Sequence, residues 1–218
     1  MKFRCLAAAI TVFALTAPAA LKANDERLKE AAAVLDDMAG KADKGIPLDL
    51  IKSAKCLVII PGVKKMAVGI GGEYGKGYIN CRKTGGGWSA PGGISVKGGS
   101  AGLQLGGDST DVVLVVRDEK GVEKLLSGKF TVGADVGVSA GPVGADAATR
   151  AGKADILSYS HSKGAFAGIA LEGASITTDE DENKELYGKK IDNKDIVLKD
   201  AVQPPKGAAP LMTALAKY

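Results

Sequence analysis

Aromatic side chains are scarce: Phe, Trp and Tyr together make up 5% of the 218 residues, with a single Trp. The core must therefore be built from Val, Ile, Leu and Ala. One His and three Cys, one of them in the first five residues, make no zinc set. Neither sign of charge dominates, with 29 Lys and Arg against 25 Asp and Glu. Long apolar runs are missing too. The longest, residues 6–15, is shorter than the roughly 20 residues a bilayer-spanning helix needs. What is abundant is glycine, 30 residues. Each costs a helix roughly 1 kcal/mol against Ala, which excludes a helical bundle. They follow no collagen-like period and sit among Val and Ile, which excludes disorder.

The N-terminus places Lys2 and Arg4 before the apolar stretch and small residues after it. This is the pattern of a secretory signal peptide, residues 1–23, with cleavage near Ala23 and a periplasmic or secreted product. Loss of Lys2, Arg4 and Lys22 lowers the formal charge from +4 to +1, which removes the electrostatic motive for nucleic-acid binding. Cys56 and Cys81 then remain. Two arrangements stay open: a disulfide closing a loop of about 25 residues, or two buried thiols on separate strands.

Leu28, Ala31, Leu35 and Met38 recur at helical spacing within an N-terminal helix over residues 24–45. A second short helix is predicted over 47–54, opened by Pro47. The period then changes. Residues 56–60 read as a buried strand ended by a Pro61-Gly62 turn. Further strands are predicted over 66–72, 77–82, 87–96, 101–105 and 112–116, the last covered on both faces. A helix over 118–127 follows, then strand signal over 132–140, 154–160 and 165–177. The β-rich domain extends over 46–200, and 201–218 is a Pro-rich connection with a terminal helix. Helices first and many short strands after argue for an α+β fold that is mostly β. A curved or barrel-like antiparallel sheet carries N-terminal helices and a short C-terminal helix. Glycine then serves bends and close backbone approach.

The motifs for chemistry fail on context. Gly75-Lys76 is followed by Gly77 where a phosphate loop needs Ser or Thr. Gly85-Gly86-Gly87 leads to Pro91-Gly92-Gly93 instead of the helix a dinucleotide site requires. Ser100 sits in a G-x-S-x-G pattern with His161 downstream, but the residues after it read as a strand, not a helix. Asp179, Asp181 and Asn183 imitate a calcium loop, yet Lys184 stands where Gly is needed and Lys190 where Glu is needed. No catalytic residue, metal or cofactor follows. Lys52, Lys55, Lys64 and Lys65 are the candidate contacts to lipid head groups, if they converge.

Four stretches, "IPLDLIKSAKCLVIIPGVKK", "GGEYGKGYINCRKTGGGWSAPGGISVKGGSAGLQLGGDSTDVVLVV", "LLSGKFTVGADVGVSAGPVGADA" and "YSHSKGAFAGIALEGASITTDEDENKELYG", resemble the SYLF domain in order from Ile46 to Gly188. Tyr74, Gly75, Gly77, Trp88, Ser89, Pro91, Gln104, Asp111, Gly141, Pro142, Phe166, Gly168, Tyr187 and Gly188 stand as its signature positions, with structural roles. The resemblance implies a non-catalytic module that binds phospholipid or a membrane surface. The expectation is an exported bacterial member associated with the cell envelope. A protein-interaction or envelope-stress scaffold with an envelope protein partner is the second reading. A hydrolase using Ser100 and His161 is the remote third.

Overall fold

The computed structural model describes residues 17–40, 45–68, 70–100, 109–128, 130–132, 138–142, 152, 154–162, 165–167, 171 and 173–218. Helix α1 (Ala17–Met38) and α2 (Leu48–Ser53) lead into β1 (Cys56–Val68), β2 (Ile70–Cys81), β3 (Gly92–Ser100) and β4 (Ser109–Val116). After α3 (Glu119–Leu125) come β5 (Phe130–Thr131), β6 (Val138–Ala140), β7 (Ile156–Ser162), β8 (Ala165–Ala167) and β9 (Ser175–Thr178). The chain ends in α4 (Glu180–Tyr187), α5 (Asn193–Val197), a 3₁₀ turn and α6 (Ala209–Leu215). The strands form one curved sheet in the order β5-β9-β3-β2-β1-β4-β7-β6, with β8 beside β7. Among the described residues every strand pairing is antiparallel except β6 with β7.

Period-2 alternation gives the sheet two apolar faces. On one, Leu57, Ile59, Tyr78, Val113, Val115 and Leu157 pack beneath Leu28, Leu35 and Met38 of α1, Ile51 of α2 and Leu211 of α6. On the other, Val58, Ile60, Ile79, Val112, Leu114 and Ile176 pack with Val122, Phe130 and Ile196. The five apolar residues of 112–116 are all fully buried, as a strand covered on both sides requires.

Pro61-Gly62 differs from expectation. It is no turn: β1 runs through it, and the register with both β2 and β4 shifts there. Gly62 takes φ +60 in this bulge, and its N–H donates to the Asp111 carboxylate at 2.8 Å. Asp111 thus satisfies a donor the bulge takes out of the ladder. A Cβ on Gly77 would run into the Ile59 carbonyl, so β2 crosses the bulged strand where no side chain fits. The strands expected over 66–72 and 77–82 are accordingly the ends of two long strands. Helix α1 begins at Ala17 and passes continuously through residue 23. Helix α5 has no counterpart in the sequence reading. The expected strand over 101–105 lies outside the described residues.

Candidate functional site

Along β2 the face toward the helices carries Tyr74, Lys76, Tyr78 and Asn80. Tyr78 and Asn80 are buried, Lys76 is half-buried, and Tyr74 is 48% exposed. Among the described residues the helices cover one end of this face. At the uncovered end the strand registers align one residue from each of six strands. Ser109 pairs with Lys64, Lys64 with Tyr74, Tyr74 with Lys97, Lys97 with Ser175, and Ser175 with Thr131. Residues directly opposite share a face, so this is a transverse row with no aliphatic member. Lys64, Tyr74 and Lys97 are exposed at its centre. Neither lysine has an ion-pair partner among the described residues.

Tyr74 and Lys76 form the ridge between two recesses. One, of about 450 Å³, lies between α1 and the β1 bulge and is lined by Arg27, Glu30, Lys64 and Ser109. The other, of about 440 Å³, reaches Lys97, Thr177 and Asp179.

Beneath the ridge lies a charged network centred on Glu182 of α4, 2% exposed. Arg27 of α1 donates to both its oxygens at 2.7 and 2.8 Å, the Tyr78 hydroxyl donates at 2.6 Å, and Lys76 reaches it at 3.3 Å. Lys76 is closer to Asp179, at 2.7 Å. Asp179 also caps α4, its other oxygen accepting from the Glu182 N–H at 3.0 Å. Burial, and after it Glu182, pushes the Tyr78 hydroxyl well above its ordinary range. Burial pulls the Lys76 ammonium down, but Asp179 and then Glu182 more than offset this. The network ties α1, β2 and α4 together.

Lys52 and Lys55 do not converge with Lys64. Lys55, just before β1, and Lys64, within it, are nine residues apart, roughly 30 Å along a strand. Lys52 ends α2, and Lys55 pairs with Glu119 at 2.9 Å. Lys64 belongs to the row, and the Lys65 side chain lies outside the described residues. Ser100 is on β3 and His161 on β7, four strand steps or roughly 19 Å apart, with β2, β1 and β4 between them. His161 instead pairs with Asp37 of α1 at 3.2 Å. That separation, together with the strand conformation at Ser100, removes the hydrolase reading.

The remaining signature positions are placed as follows. Trp88 is buried, with the Arg82 guanidinium 4.1 Å from its ring centre. The Ser89 hydroxyl accepts from the Cys81 N–H and donates to the Ala90 carbonyl. Tyr187 donates to the Pro91 carbonyl, and Gly188 closes α4 in the left-handed conformation. Gly75 lies against Val63 and Ile60, and Gly141 against the Tyr159 ring, whose hydroxyl donates to the Pro142 carbonyl. Phe166 is on β8 opposite His161. Gln104 and Gly168, like the Phe166 side chain, lie outside the described residues. Cys56 and Cys81, directly opposite on β1 and β2, form a disulfide.

Sequence reasoning weighed Lys76 only as a phosphate-loop lysine and Asp179 only as a calcium-loop ligand, and did not single out Arg27, Lys97 or Glu182. A signal was present for the strand residues. Polar and apolar positions alternate in Tyr74-Gly75-Lys76-Gly77 and in Ser95-Val96-Lys97, which marks one face as solvated. None was present for the network, because α1, β2 and α4 are far apart in sequence.

No solved structure matches this chain. It is similar to the yeast LAS seventeen-binding protein 3, 37% identical over 180 residues, which are 80% of this chain and 39% of the relative. The yeast protein YSC84 is also 37% identical, over 80% of this chain and 38% of its own length. The human SH3 domain-containing YSC84-like protein 1 is 31% identical over 167 residues, 74% of this chain and 48% of the relative. The chain thus spans less than half the length of these relatives. The first of them carries the name of a binding protein. They also correct one expectation. An exported bacterial member, periplasmic or secreted and tied to the cell envelope, does not stand against relatives from yeasts and mammals. A family model described as "Las17-binding protein actin regulator" matches residues 97–218, and the chain belongs to this family, Ysc84, the same as the SYLF domain family.

Proposed function

We propose that this domain is a non-catalytic adaptor module that meets an anionic phospholipid surface with the uncovered end of its sheet. The observation that supports it is the row in which Lys64 and Lys97, both exposed, flank the exposed Tyr74. A lysine near an anionic bilayer contributes roughly 1 kcal/mol. A tyrosine ring places its apolar body at the boundary and its hydroxyl among head groups. The outer face of α1 is the poorer surface for this partner, since Glu26, Glu30, Asp36 and Asp37 are exposed on it. Co-sedimentation with vesicles of increasing phosphatidylserine content tests the reading. Binding should rise with acidic lipid and weaken with salt. Equal binding to neutral vesicles, or none at any composition, would remove it.

A second reading is a protein partner of the kind the family description names. The match over residues 97–218 favours it. Co-precipitation of the purified domain with a Las17-type protein, in the absence of lipid, is its test.

A further inference from the structure

Lys76 lies two residues beyond Tyr74 on β2, on the same face and roughly 7 Å further along the strand. It lines both recesses beside the row. Lys76 differs from Lys64 and Lys97 in being held. Asp179 takes its ammonium at 2.7 Å, and Glu182 follows at 3.3 Å. The two acids are not equivalent. Glu182 already receives both Arg27 bonds and the Tyr78 hydroxyl, so its charge is largely answered without Lys76. Asp179 spends one oxygen on the α4 cap and the other on Lys76. Lys76 is 27% exposed, and Asp179 is buried behind it. The lysine can therefore swing outward toward the row, whereas the acid, fixed by its cap, cannot follow.

We propose that Lys76 is a third anion-contacting cation of the row, and that Asp179 restrains it and sets the affinity of the surface below its capacity. The inference rests on the reading that the row meets anionic phospholipid. Loss of the Asp179 charge leaves Lys76 with only its longer contact to Glu182. The ammonium is then released into the recesses, where head-group phosphates compete for it with Glu30, Glu180 and Asp181 of the lining. Asp179→Asn keeps the oxygen that caps α4 and removes the charge, because Asn serves the cap position as well as Asp.

The test is flotation with vesicles holding a fixed fraction of phosphatidylserine. Wild type is compared with Asp179→Asn and the double variant Asp179→Asn/Lys76→Gln, with thermal midpoints as the check on folding. One added lysine contact corresponds to about fivefold tighter binding. Asp179→Asn is expected to show that gain, and Lys76→Gln to abolish it in the double variant. An unchanged affinity in Asp179→Asn overturns the proposal. So does an equal gain in both variants, which would mean that the removed acid acts through the general field and not through Lys76. If Asp179→Asn lowers the midpoint, Asp179→Ser, also a capping residue, takes its place with the same outcomes. Failure of the underlying reading is distinguishable: the wild-type protein would then show no dependence on acidic lipid.

Discussion

Glu182 is the buried acid that joins α1 to β2 and α4. It is almost fully buried and accepts from Arg27, Tyr78 and Lys76 at once. Removing one side of a buried ion pair leaves the other desolvated and unanswered. Glu182→Ala is expected to cost about 3 kcal/mol in urea unfolding, the lower end of the range for such losses, because Arg27 still reaches solvent. A loss under about 1 kcal/mol would show that water already answers Arg27. Three tyrosines set a second expectation. Burial pushes the hydroxyls of Tyr78, Tyr159 and Tyr187 well above their ordinary value, with Glu182 adding to the effect at Tyr78. Their folded pKa values are raised, so their contribution is complete below about pH 10, where unfolded tyrosine begins to ionise. It is lost as pH rises from there toward the folded values. The urea midpoint should hold to about pH 9.5 and fall beyond it, and a flat profile to pH 11 would contradict the burial argument.

The elements differ in how far their sequences announced them. The 112–116 strand was legible because five consecutive apolar residues fit only a strand covered on both faces, and α1 because Leu28, Ala31, Leu35 and Met38 keep a helical period. Pro61-Gly62 misled for a physical reason. Those two residues mark a turn when nothing else holds the chain straight. Here Asp111, some fifty positions later, accepts the Gly62 N–H and keeps the strand continuous through a bulge. A long-range bond of that kind leaves no trace in local pattern. Gly62→Ala tests it. An alanine at φ +60 is disfavoured by roughly 1–2 kcal/mol, and its Cβ would stand 3.3 Å from the Ser109 hydroxyl. The variant should lose that much stability while keeping the fold, and a neutral result would mean that the bulge relaxes. The same limit hid the transverse row. Lys64 comes into register with Tyr74 and Lys97 only because the bulge shifts β1 against β2, whereas the sequence reading ended the strand before Lys64 at a Pro61-Gly62 turn.

Over the whole molecule the two ends of the sheet are unlike. At one end the disulfide joins β1 to β2, and Arg82 donates to the Ile51, Lys52 and Tyr218 carbonyls, binding α2 and the segment after α6 to the sheet. At the other end the helices stop short and the Lys64–Tyr74–Lys97 row stands open. This polarity gives the domain a closed end and an open end. It also separates the candidate lysines into two groups, since Lys52 and Lys55 belong to the closed end and Lys64 to the open one. Equilibrium binding to phosphatidylserine vesicles by Lys64→Gln/Lys97→Gln and by Lys52→Gln/Lys55→Gln, side by side, is the most direct test. Loss of two contacts of about 1 kcal/mol each corresponds to about thirtyfold weaker binding for the first pair, with the second close to wild type. Equal loss in both pairs, or loss confined to Lys52 and Lys55, would contradict the assignment of the contact surface to the open end of the sheet.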